Sequence, residues 1–218
     1  SWASGGNMNT ARYDGASSGT QTAQLSFGGY TTGIVSTTES YDGSSWTNGT
    51  AVPTATYANA GTGTQTAALM MGGQTPGSPA TANAFEWNGS SWTAGGSMNG
   101  GHRYRRGGGT QTAGMVAGGN GGSPSPTGYT ETYNGTAFTE VGDMNTARTG
   151  GMMLGGSGPN SAGLYFGGQA SNPADGETET WDGSSWTEVS EINTGRNQGG
   201  GCGASSTSTL IFGGEVSG

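Results

Sequence analysis

A short aromatic-centred segment returns five times along the chain, and this repetition limits what the chain can fold into. Ser1-Trp2, Ser45-Trp46, Ser91-Trp92, Ala137-Phe138 and Ser185-Trp186 are separated by 44, 46, 46 and 48 residues. A glycine pair follows each at a near-constant distance: Gly28-Gly29, Gly72-Gly73, Gly118-Gly119, Gly167-Gly168 and Gly213-Gly214. One unit of this length cannot bury a core alone, so the five must share one. The repeats divide a single domain, 1–218, into 1–44, 45–90, 91–136, 137–184 and 185–218.

Within a unit the pattern is that of strands. Leu25 and Phe27 alternate with Gln24 and Ser26, and Leu69/Met71, Leu164/Phe166 and Leu210/Phe212 repeat that spacing just before the glycine pair, which reads as the period of two of a strand. A Gly-Thr-Gln-Thr-Ala turn precedes that strand at residues 19–23, 63–67 and 109–113. Further on, Asp42-Gly43, Asn88-Gly89, Asn134-Gly135 and Asp182-Gly183 read as hairpin turns of type I′, which need positive φ at both central residues. Four strands per unit and no amphipathic helix predict an all-β chain: a β-propeller of four-stranded blades, with five blades. Trp2 starts like a fourth strand and would complete the last blade, made by residues 196–214. No aromatic-Asp-Gly segment follows Gly214. Either closure is imperfect or the parent polypeptide is longer, and a start at Ser1 without an initiator Met reads as a fragment or processed product.

The aromatic-Asp/Asn turn followed by a second aromatic, set after Gly-Gly, resembles the kelch repeat. The match runs through Gly28-Gly29, Tyr41-Asp42 and Trp46; Gly72-Gly73, Trp87-Asn88 and Trp92; Gly118-Gly119, Tyr133-Asn134 and Phe138; Gly167-Gly168, Trp181-Asp182 and Trp186. Kelch rings usually hold six or seven blades, and this chain has material for five. The combined Gln-Thr-Ala, Gly-Gly and Asp-Gly-Ser-Ser-Trp wording is also similar to kelch-like proteins of marine bacteriophages. That resemblance implies a virion protein, a tail or fibre appendage.

Charge narrows the partners. There is no lysine, and six arginines oppose 14 acidic residues for a net charge of −8. Such a surface lacks the clustered cations that phosphate backbones and anionic membranes require, and no apolar run is long enough to span a bilayer. A neutral, hydroxyl-rich exterior suits a virion or extracellular location. Cys202 is the single cysteine, so no intrachain disulfide forms. His102 is the single histidine. A two-histidine metal site within one chain is therefore absent, and no paired catalytic carboxylates stand out. The expectation is no enzyme and no cofactor.

Arg12, Arg148 and Arg196 each lie ten residues after an opening aromatic, where His102 stands in the third unit. Glu39, Glu131 and Glu179 each lie seven residues before the next one. In the second unit Thr56 and Phe85 replace both, which favours a structural Arg–Glu pair in each blade over an anion-binding collar. Trp2, Trp46, Trp92 and Trp186 recur once per blade and read as packing between blades rather than sugar platforms. Binding is assigned to the loops between second and third strands, which vary most: residues 30–36, 74–80, 120–128 and 169–176. Candidate contacts are Tyr30, Gln74, Asn120, Tyr129, Gln169 and Asn172, with Arg103, Arg105 and Arg106 as a basic outlier. The expected partner is a glycan or host-surface receptor, or a neighbouring virion protein, with homo-oligomer formation left open. The alternatives are a purely structural decoration or spacer domain, and a secreted carbohydrate-active enzyme.

Overall fold

The computed structural model describes residues 4–77, 80–121, 125–155, 162–170, 175–205 and 208–216. All regular elements among them are strands, which form four four-stranded antiparallel sheets and one two-stranded sheet. The first sheet is β1 (Ala16–Thr20), β2 (Ala23–Phe27), β3 (Thr38–Tyr41) and β4 (Trp46–Gly49). The second is β5 (Ala60–Gly63), β6 (Ala68–Met71), β7 (Ala84–Trp87) and β8 (Trp92–Ala94). The third is β9 (Arg106–Thr110), β10 (Ala113–Ala117), β11 (Thr130–Tyr133) and β12 (Phe138–Val141). The fourth is β13 (Met152–Gly155), β14 (Gly163–Phe166), β15 (Thr178–Trp181) and β16 (Trp186–Val189). The last holds only β17 (Gly200–Ser205) and β18 (Ser208–Phe212). This is a β-propeller-like fold of four-stranded blades. Each four-stranded sheet closes with the strand opened by the aromatic residue of the next sequence repeat, so the structural blade is shifted by one strand from the repeat boundaries.

The first strands β1, β5, β9, β13 and β17 stand side by side in that order. Ahead of each, one backbone position links neighbouring blades. Ala58 N–H donates to Asp14 C=O, Tyr104 N–H to Ala58 C=O, Gly150 N–H to Tyr104 C=O and Gln198 N–H to Gly150 C=O. All five residues have positive φ, from 52° at Asp14 to 66° at Gly150. The step from Gln198 back to Asp14 carries no hydrogen bond among the described residues.

Apolar cores lie between sheets. Leu25 and Phe27 of the first blade meet Met70, Phe85, Trp87 and Trp92 of the second. Leu69 and Met71 of the second meet Val116, Tyr133 and Phe138 of the third. Met115 and Ala117 of the third meet Tyr165, Trp181 and Trp186 of the fourth. The outer tryptophans reach across these seams. Trp92 Nε1 donates to Thr38 Oγ1 at 3.0 Å, its ring edge-on to Phe27 at 5.0 Å. Trp186 Nε1 donates to Thr130 Oγ1 at 3.0 Å. Glutamine from the recurrent first turn acts as a second staple: Gln65 donates to the carbonyls of Gln24 and Tyr41, and Gln111 to those of Ala68 and Trp87.

The Asp/Asn-Gly loops are not type I′ turns. Gly43 has φ of +97°, but Asp42 does not share the positive region. Instead the loop spans four residues between the paired Tyr41 and Trp46. Asp42 Oδ1 accepts the N–H groups of Ser44 and Ser45 at 2.8 Å each. The same bonds recur at Asn88, Asn134 and Asp182, and those from Ser185 and Ser184 hold the Asp182 carboxyl down to about 2. The side-chain oxygen satisfies the turn, which explains why only Asp or Asn stands there.

Burial separates the tryptophans. Trp92 is 7% exposed, whereas Trp46, with no preceding blade against it, remains half-buried. Trp92→Ala is expected to lower unfolding free energy by about 3–5 kcal/mol, and Trp46→Ala by about 1–2 kcal/mol. Urea denaturation of the two variants measures the difference.

Candidate functional site

Three buried ion pairs hold the link before a blade onto its third strand. Arg12 lies 3.2 Å from Glu39, Arg105 2.7 Å from Glu131 and Arg148 2.6 Å from Glu179. Each carboxylate also accepts a backbone N–H from the link, from Asn9, Asn99 or Asn145, at 2.7, 2.7 and 2.8 Å. The terminal guanidinium nitrogens are paired inside the blade, although Arg12 Nε and Arg148 Nε have no partner among the described residues, so Arg12 and Arg148 form no anion collar. Among the described residues no carboxylate meets Arg196; it donates to the Gly213 and Thr194 carbonyls.

Arg105 corrects the sequence reading twice. It is 1% exposed and belongs to the ion pair, not to a ligand-binding cluster. It also does the work assigned by spacing to residue 102. The isolated bridges Tyr13–Tyr30 and Arg103–Asn120 place His102 at the backbone position of Arg12. Arg105 reaches the same carboxylate from three residues further on, donating also to the carbonyls of Gly118 and Tyr129. His102 is buried against the Tyr129 ring, centroids 5.9 Å apart. Tyr129 is thereby occupied as packing. The signal was an arginine standing where the first and fourth units have Gly15 and Gly151.

In the second blade the ion pair is replaced as a set. Phe85 and Thr56 are buried beside Met70, and Pro53, which has no N–H to offer, stands in the place of the link asparagine. Removing the carboxylate, its cation and its backbone donor together leaves nothing unpaired.

The remaining candidates gather at the open end of the first strands. Tyr30, Gln74, Asn120 and Gln169 each follow a glycine pair and bridge to Tyr13, Tyr57, Arg103 and Thr149. A row of rings results: Tyr13–Tyr30 at 5.4 Å, Tyr30–Tyr57 at 5.6 Å and Tyr57–Tyr104 at 6.4 Å between centroids. Tyr57 Oη donates to Gln74 Oε1 at 2.8 Å, and the Arg103 guanidinium donates to the same oxygen while lying over the Tyr104 ring at 5.7 Å. Tyr13, Tyr57 and Tyr104 escaped the sequence reading because they precede the first strand and do not lie in the variable loops. Trp2 and Asn172 lie outside the described residues.

Beside this row an axial cavity of roughly 270 Å³ is lined by Asp14, Asn59, Tyr104, Arg106 and Gln198. Arg106 also donates to the Gly151 carbonyl. Asn59 is 4% exposed, and among the described residues neither its amide nitrogen nor its oxygen has a partner. A buried amide without partners is costly in an isolated protein and is a ready donor and acceptor for a polar ligand. Among the described residues no three of His, Cys, Asp and Glu gather as a metal-binding set.

Two measurements check the buried charges. Arg148→Ala is expected to cost about 3–5 kcal/mol by stranding Glu179. Copying the second blade with Asn145→Pro, Arg148→Thr, Tyr165→Met and Glu179→Phe is expected to recover most of that loss in the same denaturation assay. Burial, reinforced by Arg105, lowers the His102 imidazole below its ordinary 6.5. The folded protein therefore holds His102 neutral, and the unfolded chain binds the extra proton first. Stability is fully present above the ordinary value and falls as pH drops below it; thermal melts of His102→Gln should lose that part of the acid sensitivity.

Comparison with known proteins agrees on architecture. No family model matches the chain, and no curated protein does. The solved structure of YjhT superposes with a TM-score of 0.78 at 14% identity, covering 95% of this chain and 78% of that one. At that identity the likeness is one of fold alone.

Proposed function

We propose that the chain is a non-enzymatic binding propeller of kelch-like blades, five in number, whose glycan site is the tyrosine row at the open end of the first strands. The row itself carries this reading. Four tyrosine rings lie in succession, with Tyr13 59% exposed. Neighbouring rings are tilted by 41° to 88°, so the row presents aromatic faces and edges against which the C–H face of a sugar can pack. Gln74, Arg103 and the unpaired Asn59 amide add directional polar groups beside that row, the combination of apolar wall and few placed polar groups that small-molecule sites use. The low charge and absence of lysine favour a neutral or mildly acidic saccharide over nucleic acid.

A place on a virus particle, as a tail or fibre appendage contacting a host-surface glycan, rests on the resemblance in repeat wording. Location outside a cell fits the hydroxyl-rich composition. No cofactor is required for this role.

A glycan array tests the reading. Binding by the parent protein should be lost in Tyr13→Ala and reduced in Arg103→Ala, with unchanged thermal melts. A silent array, or equal signals from all three proteins, overturns the assignment.

A further inference from the structure

The two-stranded fifth blade keeps seats that the other blades fill. In the first, third and fourth blades the third-strand glutamate stands opposite Ser26, Val116 and Tyr165, each two residues before the glycine pair. The corresponding residue of β18 is Ile211, whose strand pairs only with β17 among the described residues. The link before this blade repeats the receiving groups. Asn193-Thr194-Gly195-Arg196 matches Asn145-Thr146-Ala147-Arg148, yet among the described residues no carboxylate meets Arg196.

A second observation points the same way. Between the fourth and fifth blades lies an apolar cleft of roughly 390 Å³, lined by Leu164, Phe166, Thr178, Val189 and Ile192. Its counterpart on the first blade, formed by Leu25, Phe27 and Thr38, is filled by Trp87 and Trp92 of the next blade's outer strands. Thr178 occupies the register of Thr38 and Thr130, opposite the last residue of the second strand. Both of those hydroxyls accept an indole N–H. On the far side, Gln21 stands in the turn position from which Gln65 and Gln111 each clamp two carbonyls of the preceding blade, and among the described residues it clamps none.

We infer that β18 accepts an extended polypeptide strand from outside the described residues, antiparallel, with a glutamate opposite Ile211 and an aromatic residue two positions later. The carboxylate is received by Arg196 and the Asn193 N–H. The aromatic ring and a tryptophan five residues further on enter the cleft over Leu164 and Phe166, the tryptophan donating its indole N–H to Thr178 as Trp92 does to Thr38. Strand addition supplies the backbone bonds, and these two pockets set the sequence. The partner is a peptide of the chain's own third-strand chemistry, Thr-Glu-x-aromatic. The inference does not depend on the tyrosine row.

The test uses the 218-residue protein and a labelled nine-residue peptide, Thr-Glu-Thr-Trp-Asp-Gly-Ser-Ser-Trp, which copies residues 178–186. Fluorescence anisotropy should show saturable binding, and hydrogen exchange at residues 208–212 should slow in its presence. Replacing the peptide's glutamate by glutamine, or Arg196→Ala in the protein, should each weaken binding about tenfold or more. The peptide change leaves the protein's folding untouched. Absence of saturable binding up to about 1 mM peptide, or binding indifferent to both changes, overturns the proposal. So does a dimer in sedimentation analysis whose residues 208–212 are already protected without peptide, since a second copy would then hold the edge.

Discussion

The seam between neighbouring sheets holds this molecule together. A four-stranded sheet of short, glycine-rich strands has too little side-chain volume to bury either face alone. In the first three blades one face is covered by the next blade, through Leu25 and Phe27 against Trp92, or Met115 against Trp186. The contact is directional as well as apolar. An indole N–H finds a threonine hydroxyl across the seam, and a glutamine amide bridges two carbonyls of the preceding blade. Such polar bonds add little net energy each, about 1 kcal/mol, but they fix the rotation of one blade against the next. The spacing of Trp and Gln therefore repeats along the chain, while the loops do not.

The ion pairs show how one chain solves a local problem in two ways. With a glutamate in the third strand, the link supplies arginine and a free N–H. With Phe85 in its place, the link supplies Thr56 and Pro53. Both solutions leave no stranded charge. The third blade keeps the first solution but brings its cation from Arg105, with His102 filling the vacated place. The requirement lies on the carboxylate's partner, and the backbone position that delivers it can move.

Blade architecture was legible because it rests on periodic features: alternation before Gly-Gly, the Asp/Asn-Gly loops and the recurrent tryptophans. The Arg–Glu partnership could be read from the joint loss at residues 56 and 85. Reading failed where geometry departed from count. Arg105 lies outside the ten-residue spacing, so counting from the opening aromatic passed it over, although an arginine in the place of Gly15 and Gly151 marked it. The loops at residues 42–45 have the composition of a two-residue hairpin but use Asp42 as an internal cap. The tyrosine row could not be seen at all, because Tyr13, Tyr57 and Tyr104 belong to different repeats and meet only when the first strands converge.

Main-chain bonds tie those strands together step by step, alongside side-chain bonds such as Ser18 to the Thr64 carbonyl and Thr62 to the Gly109 carbonyl. Asp14, Ala58, Tyr104, Gly150 and Gln198 occupy equivalent steps of one spiral of amide bonds, yet they share no chemical character. Left-handed backbone costs a non-glycine residue roughly 1–2 kcal/mol, a modest charge that the bond at each step offsets. What projects from the step is otherwise unconstrained. Evolution can thus rewrite the lining of the central opening, one residue per blade, while the scaffold beneath it stays indifferent to the choice.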